Sequence, residues 1–425
     1  MVGESLRTHA VDLITDSLLA GVAFAGPAAA MLLPRLPQLG RAPAGVATLR
    51  LAYRMRWFSF AAAVSAMALL LRRRKSPEQR AALAIDVLAL GGLLALAPRL
   101  YRTELGLTDV EGLRHLPEPT ARGLMHDDAQ VAGAFINGRA VAYPVALLSR
   151  SRPFVDEVGG VPLVPVVDRR SHVSIALVSG LDGDALDLVR LGTPDNHVLF
   201  YDRATGNAFR PLTGVVEAGP DQGARLDVRP LLRCTWASWK ALHPDTMLAW
   251  WNAPPRHPWL QRLGEHEFTS RHVPEQAISR PLDPRLAPAE LVFGIQAGGV
   301  AHAFSRFHLR KQQVIPLRLG GRPVVVLHDP ELDLTQAYFS ELDGVPLTLA
   351  RTEGRHAVAC DAEQGGLWDV SGRCIKGDRY GRRLAPVPLS VDRVFWFAWA
   401  LFHPHTGLDG WASTAQRYAL QSAPA

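Results

Sequence analysis

Cysteine is scarce, with only Cys234, Cys360 and Cys374 in 425 residues. Three thiols without any C-x-x-C spacing are too few for a disulfide framework, and zinc-finger spacing is missing as well. Cys360 and Cys374 could pair after export, but free, half-buried thiols are the expectation. There is no P-loop, no G-x-S-x-G, and no G-x-G-x-x-G set between a strand and a helix. A basic helix and an aromatic RNA-binding signature are also absent. The chain holds 46 Lys and Arg against 40 Asp and Glu, a net of +6 with a pI near 9.5. Residues 1–100 carry 12 basic and 5 acidic groups, which leaves 34 and 35 in the remaining 325 residues. The surplus therefore sits beside N-terminal apolar stretches, as in the flanks of a membrane protein, and nucleic acid is not expected as a partner.

Three apolar stretches open the chain: Ser17–Pro34, Trp57–Leu71 and Ala81–Pro98. A spanning helix takes about 20 apolar residues, with ~17 as the lower edge, so each stretch is short on its own. Three of them within residues 1–100, with arginines at their ends, predict a multi-pass segment of two or three transmembrane helices. A buried bundle or a cleaved signal peptide fits less well. The cluster Arg72, Arg73, Arg74 and Lys75 assigns loop 72–80 to the cytoplasm, whereas Arg35, Arg41, Arg50, Arg54 and Arg56 pull loop 35–56 the same way. Charge alone leaves the topology near a tie.

The rest of the chain reads as one pattern written twice. VAGAFINGRAVAY (131–143) answers VFGIQAGGVAHAF (292–304), and GGVPLVPVVD (159–168) answers GGRPVVVLHD (320–329), both at an offset of 161. YDRATGNAF (201–209) and CDAEQGGLW (360–368) follow, then GARL (223–226) and GRRL (381–384), and finally TWASWKALHPDT (235–246) and FWFAWALFHPHT (395–406). Short apolar runs between Gly-Gly and Asp-x-x-x-Gly read as strands and turns. Trp236, Trp239 and His243, like Trp396, Trp399 and His403, recur at i, i+3 and i+7 on one face of a short helix that Pro244 and Pro404 end. The expected fold is α+β and predominantly β: a transmembrane segment (1–100), a linker (101–130), a β-rich module with a closing helix (131–251), a Pro-rich connector (252–290), a second copy (291–411) and a tail (412–425).

These blocks resemble a bacterial family known only as a domain of unknown function. Its copies read G-E-A-R-A-Y-P-L, W-H-E-x-V-N-D-x-x-G-G-x-P-V, C-P-L-C-G, Y-D-R-E-T-G-S-x-W and W-x-x-W-K-x-x-H-P-x-T. GRAVAYPV (138–145), VDEVGGVPL (155–163), YDRATGNAF and SWKALHPDT (238–246) carry the resemblance in the first copy, and GGVAHAF, LGGRPVVV, GGLW and FAWALFHPHT in the second. It covers nearly all of residues 131–251 and 292–407. Members commonly carry export signals, so the resemblance implies an extracytoplasmic soluble part, and it brings no established activity. The family's Trp-His-Glu falls on Arg150, Ser151 and Arg152, and on Lys311, Gln312 and Gln313. Its Cys-Pro-Leu-Cys strand falls near Val166–Arg170, where no cysteine stands. Any metal or redox set built on those residues is missing from both copies.

Candidate sites are few. His243 and His403 match across the repeat as possible ligands or bases, although a histidine ending a helix more simply serves its last carbonyls and dipole. His302 and His308 share strand parity, and His328 and Asp329 end the next apolar strand; together they compose a possible transition-metal set, without the spacing of a tight motif. Copy one has Val141, Leu147 and Val167 where those histidines stand. Asp168 and Asp329 read as turn-closing aspartates, as do Asp202 and Asp361 with Gly206 and Gly365. The tryptophans read as core. Two functions follow as expectations: a binding or scaffold role toward an envelope ligand or protein partner at the membrane, and, as the alternative, a metal-dependent oxidoreductase using His302, His308 and His328.

Overall fold

The computed structural model describes residues 107–178, 186–192, 194–252, 278, 281–354, 357–363 and 365–410. The apolar stretches of residues 1–100, most of the connector and the tail lie outside them. Among the described residues no helix is long and apolar enough to cross a membrane. These residues are β-rich, with seven small sheets and only short helices. In the first half the order is β1 (Glu111–Pro117), α1 (Glu118–Ala121), β2 (Gln130–Ile136), β3 (Arg139–Pro144), α2 (Val145–Leu148), β4 (Asp156–Val158), β5 (Val161–Asp168), β6 (Val173–Leu177), β7 (Leu188–Gly192), β8 (Leu199–Asp202), β9 (Ala208–Phe209), β10 (Val216–Ala218), β11 (Val228–Pro230), β12 (Leu232–Thr235), α3 (Trp236–Leu242) and β13 (Met247–Asn252). Strand β1 and α1 fall in the stretch expected to be linker; β1 pairs antiparallel with β13 and so belongs to the first sheet.

The second half runs β14 (Leu291–Ala297), β15 (Val300–Ser305), α4 (Arg306–Gln312), β16 (Val314–Leu319), β17 (Arg322–Asp329), β18 (Leu334–Phe339), the small hairpin β19 (Glu341–Leu342) and β20 (Val345–Pro346), β21 (Leu349–Gly354), β22 (Ala357–Asp361), β23 (Leu367–Trp368), β24 (Cys374–Lys376), β25 (Leu389–Phe395), α5 (Trp396–Phe402) and β26 (Gly407–Asp409). Three sheets recur. The order β13-β3-β2-β12 in one half stands beside β26-β15-β14-β25 in the other, with β13 and β26 the parallel members. Strands β4-β5-β6 stand beside β16-β17-β18, and β7-β8-β9-β10 beside β21-β22-β23-β24. Gly159–Gly160 and Gly320–Gly321 join β4 to β5 and β16 to β17 with φ of 59° and 79°, and 57° and 83°. Glycine takes such conformations without strain, and at Gly159 a Cβ would stand 2.3 Å from Ile136 O.

The tryptophan helices form where the spacing predicts. Thr235 Oγ1 accepts the Ser238 N–H at 3.1 Å and caps α3. The Trp239 ring lies on Gly133, where a Cβ would stand 2.2 Å from it, and Trp399 lies on Gly294, at 2.4 Å. Their indole N–H groups donate to Thr246 Oγ1 at 2.7 Å and Thr406 Oγ1 at 3.0 Å. Both strands can take only glycine there, because the ring packs on bare backbone.

Alternation along β5 and β17 divides the core. Leu163 and Val167 face the first sheet of their own half, with Tyr143, Ala176 and Trp251. Val164 and Val166 face Trp396, Phe397 and Trp399 of the other half. In β17, Val324 and Val326 face Phe293 and Phe304 of their own half, whereas Val325 and Leu327 face Trp236 and Trp239 of α3. Strands buried on both faces read as unbroken apolar runs, as these do. Each half thus caps the other's inner sheets with its tryptophan helix. The end of the Pro-rich connector joins this core: Leu286 is buried, and the Arg285 guanidinium lies 5.1 Å from the Trp396 ring.

Candidate functional site

A cavity of about 600 Å³ opens between the halves. Its walls come from β2 (Phe135, Ile136), α3 and its end (Trp239, His243), β18 (Tyr338) and the run from Arg383 to Asp392 ahead of and within β25. Phe135 is 42% exposed, although Val131 to Ala134 before it are buried, because its ring stands in this opening. Four planar groups follow one another along it, with His243 tilted 53° to Trp239. The Arg383 guanidinium lies 5.2 Å from the Phe135 ring centre. Phe135 stacks on His243 at 4.7 Å with 18° between planes, and His243 rests on Trp239 at 4.3 Å. Burial, with Arg383 nearby, pushes the His243 imidazole down to about 4, so it is neutral at pH 7. A neutral ring neither completes a helix dipole nor serves as a cationic cap. The last turn is closed instead by the His243 backbone N–H, 2.8 Å from Trp239 O.

Below the cavity lies a buried polar layer. Asp392, which lines the cavity, is raised in pKa by burial, against the pull of Arg306 and Arg393. Arg306 Nη1 donates to Asp392 Oδ1 at 3.2 Å, and Arg393 Nη2 donates to Asp333 Oδ2 at 2.7 Å. Arg306 also pairs with Asp333. Although burial opposes it, Arg306, Arg393 and Arg310 hold Asp333 below the usual carboxylate range. Arg233 stands three residues before α3, as Arg393 stands three before α5. It is buried, its Nε and Nη1 meet no acceptor, and burial followed by Arg393 pushes it down to about 10. Arg393, Asp333 and His172 adopt φ of 61°, 51° and 63°, values that residues bearing a Cβ rarely take. They hold one another: His172 Nδ1 lies 2.5 Å from Arg393 O, and Arg393 Nη2 donates to Asp333 O at 2.8 Å.

The histidines of the possible metal set go elsewhere, whereas His243 lies in the cavity wall. His302 Nε2 lies 3.2 Å from Asp409 Oδ2. His308 is not on a strand: it lies in α4, where its N–H donates to the capping Ser305 Oγ at 3.2 Å. Serine at that position starts a helix and ends the strand parity with His302. His328 is fully buried on β17, with Nδ1 3.0 Å from Thr335 Oγ1. Asp329 Oδ1 accepts the N–H groups of Glu331 and Leu332 at 2.9 and 3.0 Å, closing a turn. Asp168 does likewise for Arg170, and Asp202 for Ala204. Among the described residues no group of three His, Cys, Asp or Glu is placed to hold a metal ion. All three cysteines are free.

A model of the family described as "Protein of unknown function (DUF3179)" matches residues 114–406. The chain belongs to this family. No curated protein and no solved structure matches it. The DUF3179 match spans both halves and so includes every wall of the cavity and the arginine layer beneath it.

Sequence patterning did not point to the cavity. Phe135, His243, Tyr338 and Arg383 are far apart in the chain and share no local spacing. One signal was available: Arg233 and Arg393 occupy the same place before the Trp-x-x-Trp blocks, two residues upstream of Thr235 and Phe395. A second polar set also went unmarked. Tyr143 Oη donates to Asp156 Oδ2 at 2.6 Å, and His115 Nε2 lies 2.9 Å from the same oxygen, tying β1 to the first half's core.

Proposed function

We propose that this chain is a binding protein of the cell envelope. Two copies of one β-rich module close a cleft on a small ligand, and residues 1–100 hold the pair on the membrane with the soluble part outside the cytoplasm. The cavity carries the binding role. At about 600 Å³ it falls in the range of small-molecule sites, roughly 300–1,000 Å³, and it lies where two packed units meet. The matching sheets and tryptophan docks of the two halves support duplication, and the N-terminal apolar stretches with their arginine flanks support membrane attachment. A metal centre on His302, His308, His328 and Asp329 has less support, since Thr335 and the turn after β17 already engage two of the four.

The neutral, water-soluble probe 2-naphthamide tests the cleft. Titrated calorimetrically into the full-length chain in amphipol, with empty amphipol as the blank, it is expected to saturate at one site per chain. Phe135→Arg is expected to weaken binding at least about tenfold, the loss typical of an aromatic hot spot. Non-saturable heat, or affinity unchanged by that substitution, overturns the cleft reading. Attachment has its own check. The chain is expected to stay with membranes through alkaline carbonate, and a version lacking residues 1–100 to be released; full-length protein in the carbonate supernatant would count against the anchor.

A further inference from the structure

The cleft described above is not electrically neutral, and its charge arrangement narrows what it can hold. Two arginines line it. Arg229 is already paired, with Nη2 2.9 Å from Asp227 Oδ2. Arg383 forms no ion pair among the described residues; its guanidinium rests over Phe135 and faces the opening. The one acidic group in the lining is Asp392, which is buried and bonded to Arg306. Its charge is offset by Arg306 at 3.2 Å and by Arg393 at 3.8 Å, so it repels an anion in the cleft less than a lone carboxylate would. Just beyond the wall, Arg233 adds a further cation with two nitrogens unpartnered. A ligand in this space therefore meets a surplus of positive charge between low-dielectric walls, where an ion pair is stronger than in water. One part of the wall is apolar or aromatic, with Phe135, Ile136, Trp239, Tyr338, Leu384 and Val387.

We propose that the cleft takes a flat aromatic anion, a carboxylate or sulfonate carried on an apolar ring system, and that Arg383 is the residue that selects the charge. The ring system continues the stack that Phe135, His243 and Trp239 begin, and the anionic group sits on the free guanidinium at the mouth. A cation is excluded by Arg383. This assignment rests on the cleft-binding proposal, and its test separates the two.

The probes are 2-naphthoate and 2-naphthamide, which share a ring system and nearly a shape and differ in charge. With the full-length chain in amphipol, 2-naphthoate is expected to bind at least about tenfold more tightly, the value of one charge-assisted contact. Arg383→Ala is expected to erase that preference while leaving the amide within about twofold, a loss matching one missing contact. Arg383→Lys, which keeps the charge, is expected to restore most of it, and Arg318→Ala, at a guanidinium outside the cleft, to leave it unchanged. Raising the salt concentration is expected to weaken the naphthoate alone. If the amide binds as well as the carboxylate, or Arg383→Ala weakens both equally, the anion assignment is overturned and the cleft stands. If neither probe binds, the cleft itself fails. Arg383 is exposed, and an unchanged thermal midpoint for the alanine variant excludes unfolding as the cause.

Discussion

Lowering the pH from 7 to 5 is expected to cost this protein several kcal/mol of stability and bring it near unfolding. The cause is a set of histidines folded in the neutral form. His328 and His403, 0% and 8% exposed, are both pushed down to about 4, by burial first and then by nearby arginines. His243 is pushed down to about 4 and His172 to about 3, again chiefly by burial, and His197, 2% exposed, goes well below its ordinary value. A histidine depressed in the folded state binds its proton first in the unfolded chain, whose value is about 6.5. Its contribution is complete above that pH and disappears as the pH falls toward the folded value. For a shift from about 6.5 to about 4 the loss at pH 5 is about 2 kcal/mol per group. His328 and His403 alone then remove about 4 kcal/mol, against a typical total of about 5–15 kcal/mol. His115 and Asp392 are raised and so work the other way, but they are two against six, since burial also lowers His302.

Tryptophan fluorescence during thermal unfolding of the full-length chain checks this. The midpoint should fall steeply between pH 6.5 and 5, and His403→Gln, which never takes a proton, should flatten that fall. His403 is the better choice because its Nε2 has no partner to lose, whereas His328 holds Thr335. A midpoint constant from pH 7 to 5, or a His403→Gln profile as steep as the parent's, would falsify the account.

Much of the local structure was legible because it depends on neighbours along the chain. Paired glycines at 159–160 and 320–321 could only serve turns with positive φ, and the i, i+3 spacing of the tryptophans, with proline behind, could only be a short helix with one apolar face. The partners of those faces were not legible. Nothing in the run Val161–Asp168 says that Val164 and Val166 meet a helix more than two hundred residues away while Leu163 and Val167 stay with their own half. That pairing is a property of the packed whole. The same limit hid the cleft, whose stack draws one group each from residues 135, 239, 243 and 383. His328 shows the converse. Beside an aspartate at a strand end it resembles a ligand, but its ring is enclosed in the core with Thr335 across the strand pair, and Asp329 turns back to the chain.

The exchange of helices leads to the last expectation: neither half folds alone. In residues 107–252 by themselves, the side chains that face α5 in the whole protein would meet water. Val164, Val166, Ile175, Leu177, Phe200 and Phe209 share one buried cluster with that helix and its sheet. Exposing a large apolar side chain costs roughly 1.5–3 kcal/mol, so full exposure of these six sets an upper bound of roughly 9–18 kcal/mol, comparable to the whole stability of a usual domain. Residues 281–410 face a similar loss at Val325, Leu327, Tyr338 and Trp368, which share a buried cluster with Trp236 and Trp239 of α3 in the intact chain. Expressed separately, each half should show no cooperative thermal transition. Expressed together from two genes, the halves should purify as a one-to-one complex that melts cooperatively, since each supplies the missing face of the other. Trp399→Ala in the second half should disrupt that complex, because it empties the position where α5 packs against Gly294 and the first half's sheets. A single half that melts cooperatively as a monomer would show instead that each β-rich unit closes its own core and that the helix exchange is secondary.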